Sequence, residues 1–143
     1  MGRIKVPGGL LPVAGARRIA HVARRFATGG AHVTTSRDMQ IHHVDLNATA
    51  SLMEALHAVG LTTADSAGNG NTNTLDGLAD IADIAEHFAR DGLHTTREQN
   101  IAILGIEPAL AEDVVDAVSS LGMAVEGTIA DPTSSGQAVA AAE

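Results

Sequence analysis

Apolar residues recur at helical spacing in four segments of the chain, residues 14–27, 48–59, 75–90 and 108–121. In the first segment the arginines lie on the side opposite the apolar residues, and Gly29-Gly30 follows. This pattern predicts an amphipathic helix that ends at glycine. Segments 3–6, 31–45, 61–64, 93–106 and 123–129 alternate polar with apolar or β-branched residues, so we expect extended chain there, with a bend near residues 36–38.

The order of these segments repeats. A shift of 62 positions places residues 16–63 on residues 78–125 without a gap, and eleven positions are identical. Most of the shared positions are apolar or glycine, which two copies must keep in order to fold alike. Two copies are too few for a solenoid. The repeat therefore predicts one domain built from two halves about a pseudo-twofold axis.

The joint between the copies differs from the start of the first copy. Residues 67–74 are rich in glycine and asparagine where the first copy has a leading strand. We expect a first half-domain at residues 1–66, a linker at 67–74, a second half-domain at 75–130 and a flexible tail at 131–143.

Charge is distributed unevenly along the chain. Residues 1–47 hold seven Lys/Arg and two Asp/Glu, whereas the remaining residues hold two and fifteen. The basic part can attract an anion, and the acidic remainder argues against nucleic-acid binding. On the first helical segment of each copy, Arg18, His21 and Arg24 correspond to the acidic residues Asp80, Asp83 and Glu86. We expect these positions to pair across the pseudo-twofold axis.

Composition excludes several chemistries. The chain has no cysteine, which excludes disulfides, thiolate nucleophiles and cysteine-ligated zinc or iron–sulfur clusters. No segment has the long apolar run that a membrane span or a secretory signal requires, so we expect a cytoplasmic protein. His42 and His43 would point to opposite faces of an extended chain, so no metal site is expected.

Three motifs carry a resemblance to a known family. They are Lys5-Val6-Pro7-Gly8-Gly9, the run from Thr34 to His42 followed by Gly68-Asn69, and the run from Thr96 to Ile106. Over residues 2–126 the chain resembles the two ferredoxin-like half-domains of nitrite and sulfite reductases. The resemblance implies an α/β fold of the α+β sandwich type, in which two pseudo-twofold-related half-domains share a sheet covered by helices.

The chain also departs from that family. The family has a large siroheme and iron–sulfur domain between its halves, and here the halves meet directly with no cysteine in the chain. Family arginines are replaced by Ser36 and Thr72. We therefore expect no reductase activity from this chain alone.

The resemblance implies a set of cations for an anionic cofactor, namely Arg3, Lys5, Arg37 and Arg97. Arg3 and Lys5 lie two apart on a predicted strand and share a face. Three functions stay open. The first is a non-catalytic scaffold or partner protein; the second is a component that binds siroheme or a related anionic tetrapyrrole, with the redox centre on another chain. The third is a module that binds a small oxyanion. No catalytic residue is assigned, no cofactor is expected in the isolated chain, and an oligomer is compatible with the charge pattern.

Overall fold

The computed structural model describes residues 1–28, 30–63, 73–74, 77–126 and 137–141. The helices it describes are α1 (Val13–Phe26), α2 (Thr49–His57), α3 (Leu78–Phe88) and α4 (Ala111–Ser120). The strands are β1 (Gly2–Ile4), β2 (Leu10–Leu11), β3 (Ala31–Val33), β4 (Met39–Ile41), β5 (Asn73–Thr74), β6 (Ala89–Thr95), β7 (Ile101–Ile106), β8 (Ala124–Glu126) and β9 (Gln137–Ala141). The four helices and strands β1, β3, β4, β6, β7 and β8 follow the predicted order, and the mixed α and β class is confirmed. Strands β2, β5 and β9 were not predicted, and the strand expected at 61–64 is represented only by an isolated bridge between Lys5 and Thr62.

The strands form two antiparallel sheets, ordered β1-β4-β3-β5 and β2-β6-β7-β9-β8. Each sheet contains one strand from outside its own half: the second sheet contains β2 of the first half, and the first sheet contains β5, from the segment that leads into the second half. Leu10 and Leu11 of β2 lie opposite His94 and Leu93 of β6, and β5 pairs with β3. The two halves therefore complete each other's sheets, which ties them into one fold.

Equivalent hairpin turns join the central strands of the two sheets. In the first turn the Thr34 N–H donates to Asp38 O and the Arg37 N–H donates to Thr34 O. In the second, Thr96, Gln99 and Asn100 repeat these bonds. Arg37 and Gln99, equivalent in the repeat, both adopt left-handed backbone conformations with φ of 66° and 70°. The bend predicted near residues 36–38 is this first turn.

The core lies between the sheets and the helices. Helix α1 packs against both α2 and α3, and α3 packs against α4. Side chains from both halves are fully buried, among them Ile4, Ile19, Met39, Ile41, Leu56, Leu78, Ile81, Leu93, Ile101 and Ile103. These are the apolar positions that the repeat preserves, or their neighbours on the same faces. Burial of this shared set explains why both copies keep it.

Two segments differ from expectation. Residues 73–74, at the end of the predicted linker, form β5 on the edge of the first sheet, and residues 64–72 lie outside the described residues. Residues 137–141, expected in a flexible tail, form β9 between β7 and β8. Residues 137–141 include no charged residue and contain Val139 among alanines. This composition is compatible with a strand that pairs on both sides, with β7 and with β8.

Candidate functional site

The strands of the first sheet separate its apolar and polar residues. Ile4, Val33, Met39 and Ile41 face the core, and the alternating positions carry polar side chains. The register places Arg3 opposite Gln40, and His32 opposite Gln40 on the other side. Arg3, His32 and Gln40 therefore share one face of the sheet, which we call the polar face.

Lys5 is bound within the protein. Its Nζ lies 3.5 Å from Oδ2 of Asp38, a side chain that is 1% exposed. The other carboxylate oxygen, Oδ1, accepts a hydrogen bond of 3.0 Å from the Val6 N–H. Thr34 Oγ1 completes the turn with a 3.1 Å contact to the Asp38 N–H. Removing Lys5 would leave a buried carboxylate without its cation, so Lys5 has a structural task that the sequence did not indicate.

Arg3 contacts the side chain of Gln40. Its Nη2 donates to Oε1 of Gln40 at 3.4 Å, and Nε2 of Gln40 lies 2.8 Å from Nε2 of His42. The rings of His42 and His32 lie edge to face with their centroids 4.8 Å apart. Burial lowers the pKa of His42 below its ordinary value, and the neighbouring positive charges of His32, His43 and the N-terminus lower it further.

An open cleft of about 480 Å³ lies beside Arg3. Its walls come from the N-terminus, β1 and the start of α2, and they are mostly apolar: Met1, Gly2, Val44, Leu46, Thr49, Leu52, Met53 and Thr63. Of the four predicted cations, Arg3 lines this cleft and Lys5, Arg37 and Arg97 do not. Among the described residues that line the cleft, Arg3 is the charged one and most of the others are apolar.

Arg37 and Arg97 belong to the two hairpin turns, and Thr95 connects those turns. The hydroxyl of Thr95 lies 2.6 Å from the carbonyl oxygen of Arg37 and 3.3 Å from that of Gly9. Thr95 itself is fully buried at the start of the second turn. The side chain of Arg37 is half-buried and that of Arg97 is exposed. The structure thus brings the two turns together, and it places Arg3 and Lys5 on the neighbouring strand.

Ion pairs join helices α1 and α3, but they are formed by Arg17 and not by Arg18 or Arg24 as predicted. Arg17 of α1 pairs with Asp83 and Glu86 of α3. Partial desolvation lowers the pKa of Arg17, but hydrogen bonding to Glu86 and the charges of both carboxylates raise it above its ordinary value. The prediction of pairing between α1 and α3 is correct for Asp83 and Glu86. It is wrong for their partner, since Arg18 and Arg24 form no ion pair with α3 among the described residues.

Other candidate chemistry is limited. No group of three or more His, Asp or Glu side chains among the described residues is arranged to hold a metal ion. His94 has its Nε2 2.9 Å from the carbonyl oxygen of Gly8 and so helps to hold the exchanged strand. Among the described residues, no helix has both the length and the hydropathy needed to cross a membrane.

Sequence reasoning missed Asp38, Gln40, His42 and Thr95 as parts of this site. One signal could have found two of them. Asp38 and Gln40 are spaced by two, as Arg3 and Lys5 are, and an antiparallel pairing of the two segments puts all four on one face. Thr95 has no such signal, because its partners Gly9 and Arg37 are more than 50 residues away in the chain and neither is its paired residue in a sheet.

Comparison with known proteins gives one match. The model of the nitrite/sulfite reductase ferredoxin-like half domain matches residues 1–59 and 66–121. The two matched segments correspond to the two halves of the repeat. No curated protein matches the chain, and no solved structure matches it.

Proposed function

The chain belongs to the nitrite/sulfite reductase ferredoxin-like half-domain family, and from that premise we propose that it is a non-catalytic scaffold or partner protein of this family. The observation that carries the proposal is the reciprocal strand exchange. β2 completes the sheet of the second half and β5 that of the first, so each half supplies what the other needs. In this arrangement the paired half-domains support each other without an intervening cofactor domain. A cytoplasmic location is part of the proposal.

The geometry of the predicted cations supports this reading over the tetrapyrrole alternative. A siroheme has many carboxylates and requires several cations that are available to it. Here Lys5 is held by the buried carboxylate of Asp38. Arg3 opens onto a cleft whose other walls are mostly apolar. The residues present therefore do not fit a polycarboxylate tetrapyrrole, and we derive no chemistry through one.

A reconstitution experiment tests the proposal. The purified protein is incubated with siroheme, freed of excess by gel filtration, and examined by visible absorption. Nitrite and sulfite reduction are then assayed with a chemical electron donor. We expect no retained absorption and no reduction. Stoichiometric siroheme that is retained by the protein and lost in the Arg37→Gln variant would overturn the proposal in favour of the tetrapyrrole alternative.

A second candidate function is the binding of a small oxyanion at Arg3. It is favoured by the position of Arg3 among the residues that line the cleft. A guanidinium offers five donors in a planar fork that suits nitrite, sulfite or a carboxylate. A partner protein could present the same chemistry as an acidic side chain, which makes this candidate compatible with the first.

Thermal denaturation with millimolar nitrite or sulfite tests this site. Ligand at ten times its dissociation constant stabilises the folded state by about 1.4 kcal/mol. For a chain of this size we expect a rise in Tm of roughly 3–6 °C. The rise should disappear in Arg3→Gln and persist in Arg24→Gln, which removes an exposed cation from α1. An equal rise in both variants would show nonspecific screening and would contradict the candidate.

A further inference from the structure

Helix α1 carries four arginines and one histidine on a single side and contains no carboxylate. With 3.6 residues per turn, its buried residues fall on one side of the helix, and the opposite side holds Arg17, Arg18, His21, Arg24 and Arg25. We call these five residues the basic ridge. Like charges three or four positions apart on a helix repel one another, so counter-charge from outside α1 stabilises the ridge.

The chain itself balances only part of the basic ridge. Arg17 pairs with Asp83 and Glu86 of α3, whereas Arg18 and Arg24 form no ion pair among the described residues. The dipole of α1 favours Arg24, which lies in the last turn. Arg18 lies in the second turn, where the dipole offers no such stabilisation. A carboxylate from outside the chain is therefore a favourable partner for this side of α1.

The surface beside α1 is acidic. Helices α3 and α4 contain no Lys or Arg, and the exposed side of α3 carries Asp80, Asp83 and Glu86, which we call the acidic ridge. Asp83 and Glu86 each give one carboxylate oxygen to Arg17, and their side chains are still 59% and 66% exposed. The second oxygen of each can accept from another cation. The exposed side of α4 adds three more carboxylates, Glu112, Asp113 and Asp116.

We propose that the basic ridge docks on the acidic ridge of a second copy of this chain, in a twofold dimer. Helix α1 packs directly against α3, so the two ridges lie side by side. A twofold axis that runs along their boundary, in the plane of the interface, places α1 of each copy on α3 of the other. Both contacts then join cations to carboxylates. An axis across the helices would place α1 on α1, and the like charges oppose that arrangement.

The strength of this dimer is limited by charge elsewhere on the protein. Each copy has a net charge of −8, which repels the other copy at long range. At 0.1 M salt the Debye length is about 10 Å, so the ridges in contact outweigh the distant charges. Exposed ion pairs are individually weak, so we expect a weak dimer that is sensitive to salt. The dimer needs no anion and no cofactor, and it is therefore independent of the function proposed above.

Sedimentation of the full chain tests whether the dimer forms, at protein concentrations between about 10 μM and 1 mM, where weak complexes dissociate. We expect a monomer–dimer equilibrium in 0.1 M NaCl, with a dissociation constant that rises at least about tenfold in 1 M NaCl. A wild-type chain that stays monomeric throughout this range in 0.1 M NaCl overturns the dimer. That result would leave the scaffold role unaffected, because the scaffold rests on the strand exchange within one copy.

Charge reversal tests whether the ridges form the interface. Arg24→Glu and Asp80→Lys each introduce like charges into both contacts, and neither removes an ion pair found among the described residues. We expect each variant alone to dimerise at least about tenfold more weakly, and an equimolar mixture of the two to associate as a heterodimer.

Arg97→Glu is the matched control for net charge, since it changes the charge by the same amount as Arg24→Glu at an exposed position in the second hairpin turn. It should dimerise like the wild-type chain. The proposal fails if both ridge variants also dimerise like the wild type, if their mixture does not associate, or if Arg97→Glu weakens association as much as Arg24→Glu.

Discussion

Thr95→Val tests whether the contact between the two hairpin turns stabilises the fold. The side chain of Thr95 is fully buried, and its hydroxyl donates to Arg37 O at 2.6 Å. Valine has nearly the same shape, so the substitution leaves no cavity and removes only the hydroxyl. Valine also occupies the equivalent position in the first half, Val33, which shows that the fold accepts it on this face.

The expected cost follows from the acceptors that remain. Gly9 O lies 3.3 Å from the same hydroxyl, so two carbonyl groups lose a partner. Leaving a buried acceptor unsatisfied costs about 1–3 kcal/mol. We expect the free energy of unfolding in urea to fall by about that amount with an unchanged m value. Thr35→Val, an exposed turn position, serves as the control and should change stability by less than about 0.5 kcal/mol.

An unchanged urea midpoint for Thr95→Val would refute this reasoning. It would mean that the two carbonyl groups find other partners, and that the bond between the halves adds nothing beyond the apolar core. A fall in the m value would identify a different failure, in which the two halves unfold separately.

Four further predictions follow from individual contacts. Lys5→Met should lower the unfolding free energy measured in urea by about 1–3 kcal/mol, because Asp38 keeps a buried charge without its cation; an unchanged urea midpoint would contradict this structural role of Lys5. Arg37→Gly should leave stability unchanged or raise it by up to about 1 kcal/mol, since glycine accepts φ of 66° without strain; a clear loss would show that the arginine side chain packs. Arg17→Gln should cause a small loss of stability that vanishes in 1 M NaCl, and a loss that persists in salt would contradict an ion-pair origin. Because the pKa of His42 is lowered in the fold, the unfolded chain takes up its proton first. Stability should therefore fall as pH decreases below about 6.5, and the fall should be smaller in His42→Gln, as measured by urea midpoints from pH 8 to 5.

The local plan of the fold was predictable because it rests on short-range patterns. Apolar spacing located the four helices, and the repeat showed that both halves follow one plan. The strand exchange was not predictable in this way. β2 is a strand of two residues, too short for an alternating pattern, and its partner β6 lies about 80 residues away in the chain. Pairing of that kind is decided by the packing of the whole chain and leaves no periodic signal.

The ion pairs between α1 and α3 could be predicted only in part from the repeat. The repeat identifies equivalent residues, but about a twofold axis equivalent residues meet only on the axis itself. Away from it, a residue meets a different position on the other helix. Arg17 meets Asp83 and Glu86, and the residues equivalent to these three in the repeat are Ala79, His21 and Arg24. Only the first of these two sets can form ion pairs. The two halves therefore differ in charge at positions that are equivalent in the repeat.

Comparison of the two hairpin turns shows what the carboxylate of Asp38, the partner of Lys5, contributes to the fold. The second turn makes the same backbone hydrogen bonds as the first with Asn100 in place of Asp38. A neutral side chain therefore suffices for the turn, and the carboxylate of Asp38 is not needed to form it. What the carboxylate adds is the pair with Lys5 and the bond to the Val6 N–H. These hold the chain that leads from β1 to the exchanged strand β2. Lys5, one of the predicted ligand cations, therefore fixes the segment that joins the two halves. This structural role favours a scaffold over a cofactor site.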